Sequence, residues 1–309
     1  MIDYKPVIQR INLSPEHHTD VLRLDLLHPE ISGNKWFKLK KNLESAKIQN
    51  KKTIITFGGA YSNHIAATAA ACREQGLKAI GIIRGEEEQL SNPTLLKALS
   101  DRMFLHFVSR EAYIQKDSMQ FKNRLTEQFG DHYLIPEGGN NPEGVLGSLE
   151  ILKPEWSYDY IFCACGTGTT YAGLLAAVGK STRIIGVSVL KGKNTLADGV
   201  EKVLQTLFPQ KKLRVRGNEA LNQPAISDHC ITNDYCFNGY AAFSRELLDF
   251  KTQFEVKFLI PLDYVYTNKL FFAVEDLLRK NKLGNSSRIL IVHSGGLQGN
   301  AGFEKRYKL

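Results

Sequence analysis

Thr53-Ile54-Ile55-Thr56-Phe57-Gly58-Gly59-Ala60-Tyr61-Ser62-Asn63-His64, continued by the alanine-rich run to Gln75, decides the fold. The β-branched run 53–57 is short and stops at paired glycines, as expected of a strand buried in a parallel sheet. From Ser62 to Gln75 the chain is apolar nearly all round, which suits a helix covered on several sides, and Gly76 follows as its terminating glycine.

The same alternation extends in both directions from this unit. Strands are expected at Ala79–Ile83, Met103–Val108 and Tyr133–Ile135, with helices at Pro93–Ser100 and Gln115–Phe129. A second series has helices at Val145–Leu152, Thr170–Val178, Leu196–Leu207, Tyr240–Phe254 and Lys269–Lys280. Its strands are Tyr160–Ala164, Arg183–Val189 and Arg288–His293, and 209–224 reads as a loop. Strands separated by helices imply right-handed crossovers and mainly parallel sheets. The expected fold class is therefore α/β, with two doubly wound domains and a ligand at the carboxyl ends of the strands.

The chain has 309 residues, 43% hydrophobic and 23% charged, which fits two folded domains and argues against disorder. Its longest nearly apolar stretch, Ile65–Cys72, is far short of the roughly 20 residues of a spanning helix. The start, MIDYKPVIQR, lacks the apolar core of a secretory signal, so a cytoplasmic protein with no membrane partner is expected. Lys plus Arg number 40 against 32 Asp plus Glu, a net charge of +8. The basic runs 47–52 and 211–216 have no interleaved aromatics and read as solvated surface, so no nucleic-acid partner is expected. Five cysteines without CxxC spacing suggest reduced thiols and no metal site.

Two turns stand where anions bind. Gly166, Thr167, Gly168, Thr169 and Thr170 link a strand to a helix. Glycines there allow close backbone approach, and the helix start directs free amides at an anion. No lysine of the nucleotide-triphosphate type follows, so a monophosphate is the better match, with a plain tight turn as the alternative. In the Gly58–His64 turn, Ser62 is placed as a helix cap. The same amides could instead receive a carboxylate, with Asn63 and His64 at its edge. A third segment, Ser32-Gly33-Asn34-Lys35-Trp36-Phe37, sets Lys35 between a turn and two aromatics. Partial withdrawal from water would lower its pKa and make it a nucleophilic amine, although spacing alone fits an ordinary surface lysine better. Lys38, Lys40 and Lys41 read as the polar side of the helix that follows.

Together GNKWFKLKKNL (33–43), GGAYSNHIAATAA (58–70), CGTGTTYAGL (165–174), DYVYTNK (263–269) and HSGG (293–296) resemble, in order and spacing, the 1-aminocyclopropane-1-carboxylate deaminase/D-cysteine desulfhydrase family. These are pyridoxal-phosphate enzymes of fold type II, similar to the tryptophan synthase β subunit. The resemblance implies pyridoxal 5′-phosphate joined to Lys35, with its phosphate on Gly166–Thr170 and its phenolic oxygen facing Asn63. It implies that Ser62 and neighbouring amides take the carboxylate of a small amino-acid substrate, near Tyr61 and His64. Tyr240 and Tyr266 should stand beside the substrate, and Ser294 should face the pyridine nitrogen. It also implies a homodimer, a larger cofactor-binding domain over 1–48 and 145–309, and a smaller domain over 49–144.

Three departures bear on the substrate. Thr267 replaces the glutamate of the deaminase proper, Tyr61 replaces the usual glutamine, and Tyr264 replaces a proline. A hydroxyl at Ser294 limits delocalisation into the cofactor ring and suits loss of a β-substituent. The leading expectation is β-elimination of the D-cysteine desulfhydrase kind, yielding ammonia and a 2-oxo acid. Ring opening of aminocyclopropane carboxylate, β-replacement as in cysteine synthase, and a non-enzymatic anion- or nucleic-acid-binding role are the alternatives.

Overall fold

The computed structural model describes residues 4–86, 91–192 and 195–308. The first half runs β1 (Ile8–Ile11), β2 (His18–Arg23), α1 (Asn34–Ile48), β3 (Thr53–Gly59), α2 (Asn63–Glu74) and β4 (Lys78–Arg84). It continues through α3 (Pro93–Ser100), β5 (Met103–Val108), α4 (Arg110–Ile114), α5 (Met119–Phe129), β6 (Tyr133–Ile135) and α6 (Pro142–Ser148). The second half has β7 (Tyr160–Cys165), α7 (Thr169–Ala177), β8 (Arg183–Ser188), α8 (Thr195–Leu207) and β9 (Cys230–Thr232). It closes with α9 (Arg245–Phe258), α10 (Thr267–Arg279), β10 (Arg288–His293) and α11 (Asn300–Tyr307).

The strands form two sheets. The smaller has the order β5-β4-β3-β6 and is parallel throughout. The larger has the order β1-β2-β10-β7-β8-β9, parallel except for the antiparallel β1–β2 pair. Strands covered on both faces cannot alternate polar and apolar residues, and Tyr160–Cys165 is buried at every position. Burying each of Ile54, Ile55 and Phe57 contributes roughly 1.5–3 kcal/mol, which holds β3 at the centre of its sheet.

Three expectations are corrected. The helix expected over 115–129 begins only at Met119, where the Ser118 side chain caps α5 through the Phe121 amide at 3.2 Å. The helix expected from Tyr240 begins only at Arg245, capped by Ser244; Tyr240 lies in a turn where Phe237, Asn238, Gly239 and Ala241 have positive φ. Strands β1, β2 and β9 and helix α11 were not anticipated. Lys38 is buried, at 5% exposure, whereas Lys40 and Lys41 reach Glu150 and Glu44 at the surface as expected.

Both sheets turn the carboxyl ends of their strands towards one cleft. Gly59 at the end of β3, Arg84 at the end of β4, Glu137 after β6, Gly166 after β7 and Ser294 after β10 all line it. That is where open α/β sheets bind ligands. No helix among the described residues is long and apolar enough to cross a membrane.

Candidate active site

The cleft encloses a cavity of about 750 Å³, within the range of small-molecule sites. Lys35, Tyr61, Ser62, Asn63, His64, Gly166, Thr167, Gly168, Thr170, Tyr240, Tyr266 and Ser294 all line it. Of the residues expected at the site, Thr169 alone is off the wall: its hydroxyl bonds to Asn140 Oδ1 and Thr167 Oγ1, both at 2.9 Å.

Lys35 is held by backbone contacts at the start of α1. Gly33 adopts φ +70°, and a Cβ there would lie 1.8 Å from the Ser294 carbonyl oxygen, so only glycine permits the approach. The Asn34 amide donates to that same carbonyl at 3.2 Å. The Asn34 side chain then links two parts of the site. Its Nδ2 donates to Thr170 Oγ1 at 2.8 Å, and its Oδ1 accepts from Lys35 Nζ at 2.8 Å. Burial pushes the Lys35 amine down to about 8, while the Asp263 carboxylate partly opposes the shift. A neutral, nucleophilic amine is thus accessible near physiological pH.

Lys38, one helical turn on, is the second amine in the cavity. Its Nζ donates to the Gly138 carbonyl at 3.1 Å, and burial with the Lys35 charge holds its pKa well below the usual lysine value. Gly138 abuts Thr167, since a Cβ on it would stand 3.0 Å from Thr167 Cγ2. Lys38 therefore approaches the glycine turn from the side of the smaller sheet.

At that turn, Gly168 begins α7 with φ +78° and no side-chain cap. The first amide to find a backbone acceptor is that of Ala172, on the Gly168 carbonyl at 2.9 Å. Those of 166–171 meet none among the described residues. A helix start left open in this way, with hydroxyls beside it, is an anion cradle.

Helix α2 begins differently. Ser62 Oγ accepts from the Ile65 amide at 3.3 Å, leaving the amides of Asn63 and His64 towards the cavity. Asn63 Oδ1 accepts from Gln298 Nε2, which turns the Asn63 NH2 group away from that partner. Tyr61 packs against α11, where Gly302 makes room for its ring and Arg306 lies 5.8 Å from the ring centroid. His64 is 2% exposed, and burial pushes its pKa well below the ordinary histidine value. Thr56 Oγ1 donates to the Ile135 carbonyl, so it accepts from His64 Nε2 at 2.9 Å, leaving His64 Nδ1 as an unpartnered acceptor.

Tyr240 and Tyr266 meet edge to face, with centroids 6.1 Å apart. Burial raises both phenol pKa values, so both stay protonated donors. Asp263 fixes the Tyr266 loop by accepting from the amides of Val265, Tyr266 and Thr267 at 2.7–2.9 Å. The Tyr240 turn is pinned by Lys269, whose ammonium donates to the carbonyls of Cys236 and Gly239 at 2.8 and 2.7 Å. His293 turns away from the cavity: its ring is fully buried between the Pro261 carbonyl (2.7 Å) and Asp25 (3.2 Å). Sequence reasoning missed Lys38, Gln298 and the Lys269 pin, because each depends on a contact distant along the chain.

These residues fit pyridoxal 5′-phosphate. The uncapped amides of 166–171 and Lys38 offer a phosphate cradle, Lys35 offers the amine, and the Asn34 side chain joins the two within one cavity. The comparisons with known proteins agree. The family model described as pyridoxal-phosphate dependent enzyme matches residues 2–295. A putative 1-aminocyclopropane-1-carboxylate deaminase of Pyrococcus furiosus is 32% identical over 290 residues, covering 90% of this chain and 84% of that protein. The mitochondrial bifunctional D-cysteine desulfhydrase/1-aminocyclopropane-1-carboxylate deaminase of Arabidopsis thaliana is 28% identical, covering 90% and 72%. A crystal structure of an ACC deaminase homologue superposes with a TM-score of 0.81 at 27% identity, over 96% of this chain and 91% of that one. The chain therefore belongs to the family of pyridoxal-phosphate dependent enzymes, and pyridoxal 5′-phosphate is its cofactor.

Proposed function

We propose that the protein is a lyase that releases ammonia and a 2-oxo acid from a small amino acid by β-elimination, as a D-cysteine desulfhydrase does. The observation that carries this reading is the Lys35 amine, brought to about 8 by burial and tied through Asn34 to the open helix start at 166–171. When bound, the cofactor supplies an electron sink for the Cα carbanion.

The chain's own residues do the rest. Ser62 and the amides of Asn63 and His64 orient the substrate carboxylate. Lys35 Nζ, neutral near pH 8 and above, takes the Cα proton. Tyr240 and Tyr266, kept protonated, donate to the departing β-substituent. Lys38 and the 166–171 amides would hold the cofactor's phosphate, Asn63 would serve its phenolic oxygen, and the Ser294 hydroxyl would offer its ring nitrogen a neutral partner.

Elimination is favoured over ring opening by Thr267. This residue is fully buried, and its hydroxyl both donates to Asp263 Oδ1 at 2.8 Å and accepts from the Asp263 amide at 2.7 Å. No free acid or base stands where the deaminase proper has a glutamate. We further assign a homodimer in the cytoplasm, checked by sedimentation and cell fractionation, and two lobes, 1–48 with 145–309 and 49–144. All four strands of the smaller sheet fall within 53–135, which supports that division.

The test is a panel of D- and L-cysteine, the corresponding serines and aminocyclopropane carboxylate, scored for 2-oxo acid with and without added sulfide. D-Cysteine is expected to yield pyruvate, ammonia and sulfide. Release from no member contradicts the reading, and a new amino acid formed only with sulfide shows replacement instead.

A further inference from the structure

The cavity wall carries five cationic side chains, Lys35, Lys38, Arg84, Arg110 and Arg306, against two carboxylates, Glu137 and Asp263. Both carboxylates are engaged by the protein. Asp263 accepts from three backbone amides, and Glu137 lies 3.5 Å from Lys116. The cofactor and the substrate carboxylate account for Lys35, Lys38 and the helix-start amides. Three guanidinium groups are left over.

Two of them flank the loop assigned to the substrate. A Cβ on Gly59 would stand 3.5 Å from Arg84 Nη2, so this guanidinium lies against the first residue of the 59–63 turn. It also sits over the Tyr113 ring at 5.5 Å from the centroid. Its charge reaches Tyr240 as well, where it opposes the burial that raises that phenol. Arg84 thus lies between the carboxylate loop and the tyrosine pair. Arg306 covers the other end of the same loop through the Tyr61 ring, and Arg110 lines the cavity from α4. None of the three makes an ion pair with a carboxylate among the described residues. All three side chains are exposed where the cavity opens to solvent; a guanidinium there pairs with a planar or tetrahedral oxyanion through two parallel N–H groups, and a neutral side chain gains nothing from it.

We propose that Arg84, supported by Arg110 and Arg306, selects amino acids whose β-substituent is itself an acid, a sulfonate or a phosphate, over neutral amino acids of similar size. This rests on the lyase reading and names its substrate class. For an acidic β-substituent the balance closes. The Cα proton is removed, the Cβ–S or Cβ–O bond breaks with its electron pair leaving on sulfite or phosphate, and one water converts the remainder to pyruvate and ammonia.

Two arms test it on the holoenzyme. The first compares cysteate with cysteine and O-phosphoserine with serine, in both enantiomers, for pyruvate release. The acidic member of each pair is expected to have at least a tenfold higher kcat/KM, a preference that shrinks to within about twofold in Arg84→Gln, persists in part in Arg84→Lys and weakens in Arg306→Gln. The second measures binding without turnover, titrating succinate against butyrate by calorimetry. Succinate should bind at least tenfold tighter, and Arg84→Gln should remove the difference. Equal binding of the two, or a ratio unchanged in Arg84→Gln, overturns the proposal. If no amino acid yields a 2-oxo acid, the lyase reading falls while the succinate arm still decides the role of Arg84.

Discussion

Helices α2 and α7 both leave a parallel strand through a glycine turn and both point their first amides into the same cavity, yet they are finished differently. At α2 the protein supplies its own cap, Ser62, which takes the Ile65 amide and leaves two others free. At α7 nothing caps the helix, and six consecutive amides are open among the described residues. An uncapped start inside a protein is stable only when something else meets its N–H groups, which suits a resident dianion. A start that is already capped can stand alone between turnovers, which suits a substrate that comes and goes.

Four experiments would break or sharpen this contrast. The largest effect is expected from Gly168→Ala. It would force a side chain onto φ +78° and set its Cβ 2.5 Å from Val200 Cγ2. Such strain costs about 1–3 kcal/mol before the overlap is counted, so cofactor affinity in equilibrium dialysis should fall by about a hundredfold. The corresponding change at α2, Ser62→Ala, should leave cofactor affinity alone.

Next in size is a pH effect. Burial lowers Lys35 from 10.5 to about 8. Attachment of the cofactor needs the neutral amine, so its rate on cofactor-free protein should rise about tenfold per pH unit below 8 and level off above it. An exposed lysine would keep gaining up to 10.5, and stopped-flow absorbance distinguishes the two profiles.

Ser62→Ala removes the α2 cap and should cost about 1 kcal/mol of stability in urea titration. KM should rise several-fold as the carboxylate loses a hydroxyl. The smallest effect is expected from Thr170→Val, which removes the acceptor for Asn34 Nδ2. About 1 kcal/mol for that bond predicts a roughly fivefold loss of cofactor affinity, with little change in melting temperature.

The smaller sheet was legible in the chain, since Thr53–Phe57, Met103–Val108 and Tyr133–Ile135 are β-rich runs ended by turns or charges. Strand β2 was not. Its HTDVLR pattern looks like surface, and Asp20 and Arg23 are buried because Arg10 and Tyr158 reach Asp20 from elsewhere, while Gln9 and the adjoining Asp25 meet Arg23. Helix α11 has a short, polar sequence whose role comes from Gly302 packing on Tyr61. Lys38 was misread because it shares a lysine-rich run with the half-buried Lys40 and Lys41, and only the 137–139 turn of another segment closes over it. The glycine turns could be picked out from residue type and spacing, whereas Lys35 stood out only through the resemblance of its segment to the family. The placing of Tyr240 by Lys269, through carbonyls some thirty residues away, could not.

The central claim is that Lys35, and not its buried neighbour Lys38, carries the cofactor. Borohydride reduction of the purified yellow protein followed by peptide mapping tests it directly. The account predicts one pyridoxyl group per chain, on the peptide bearing Lys35, and none in Lys35→Ala. A label on Lys38, or a protein that reduction leaves unmodified, would contradict it.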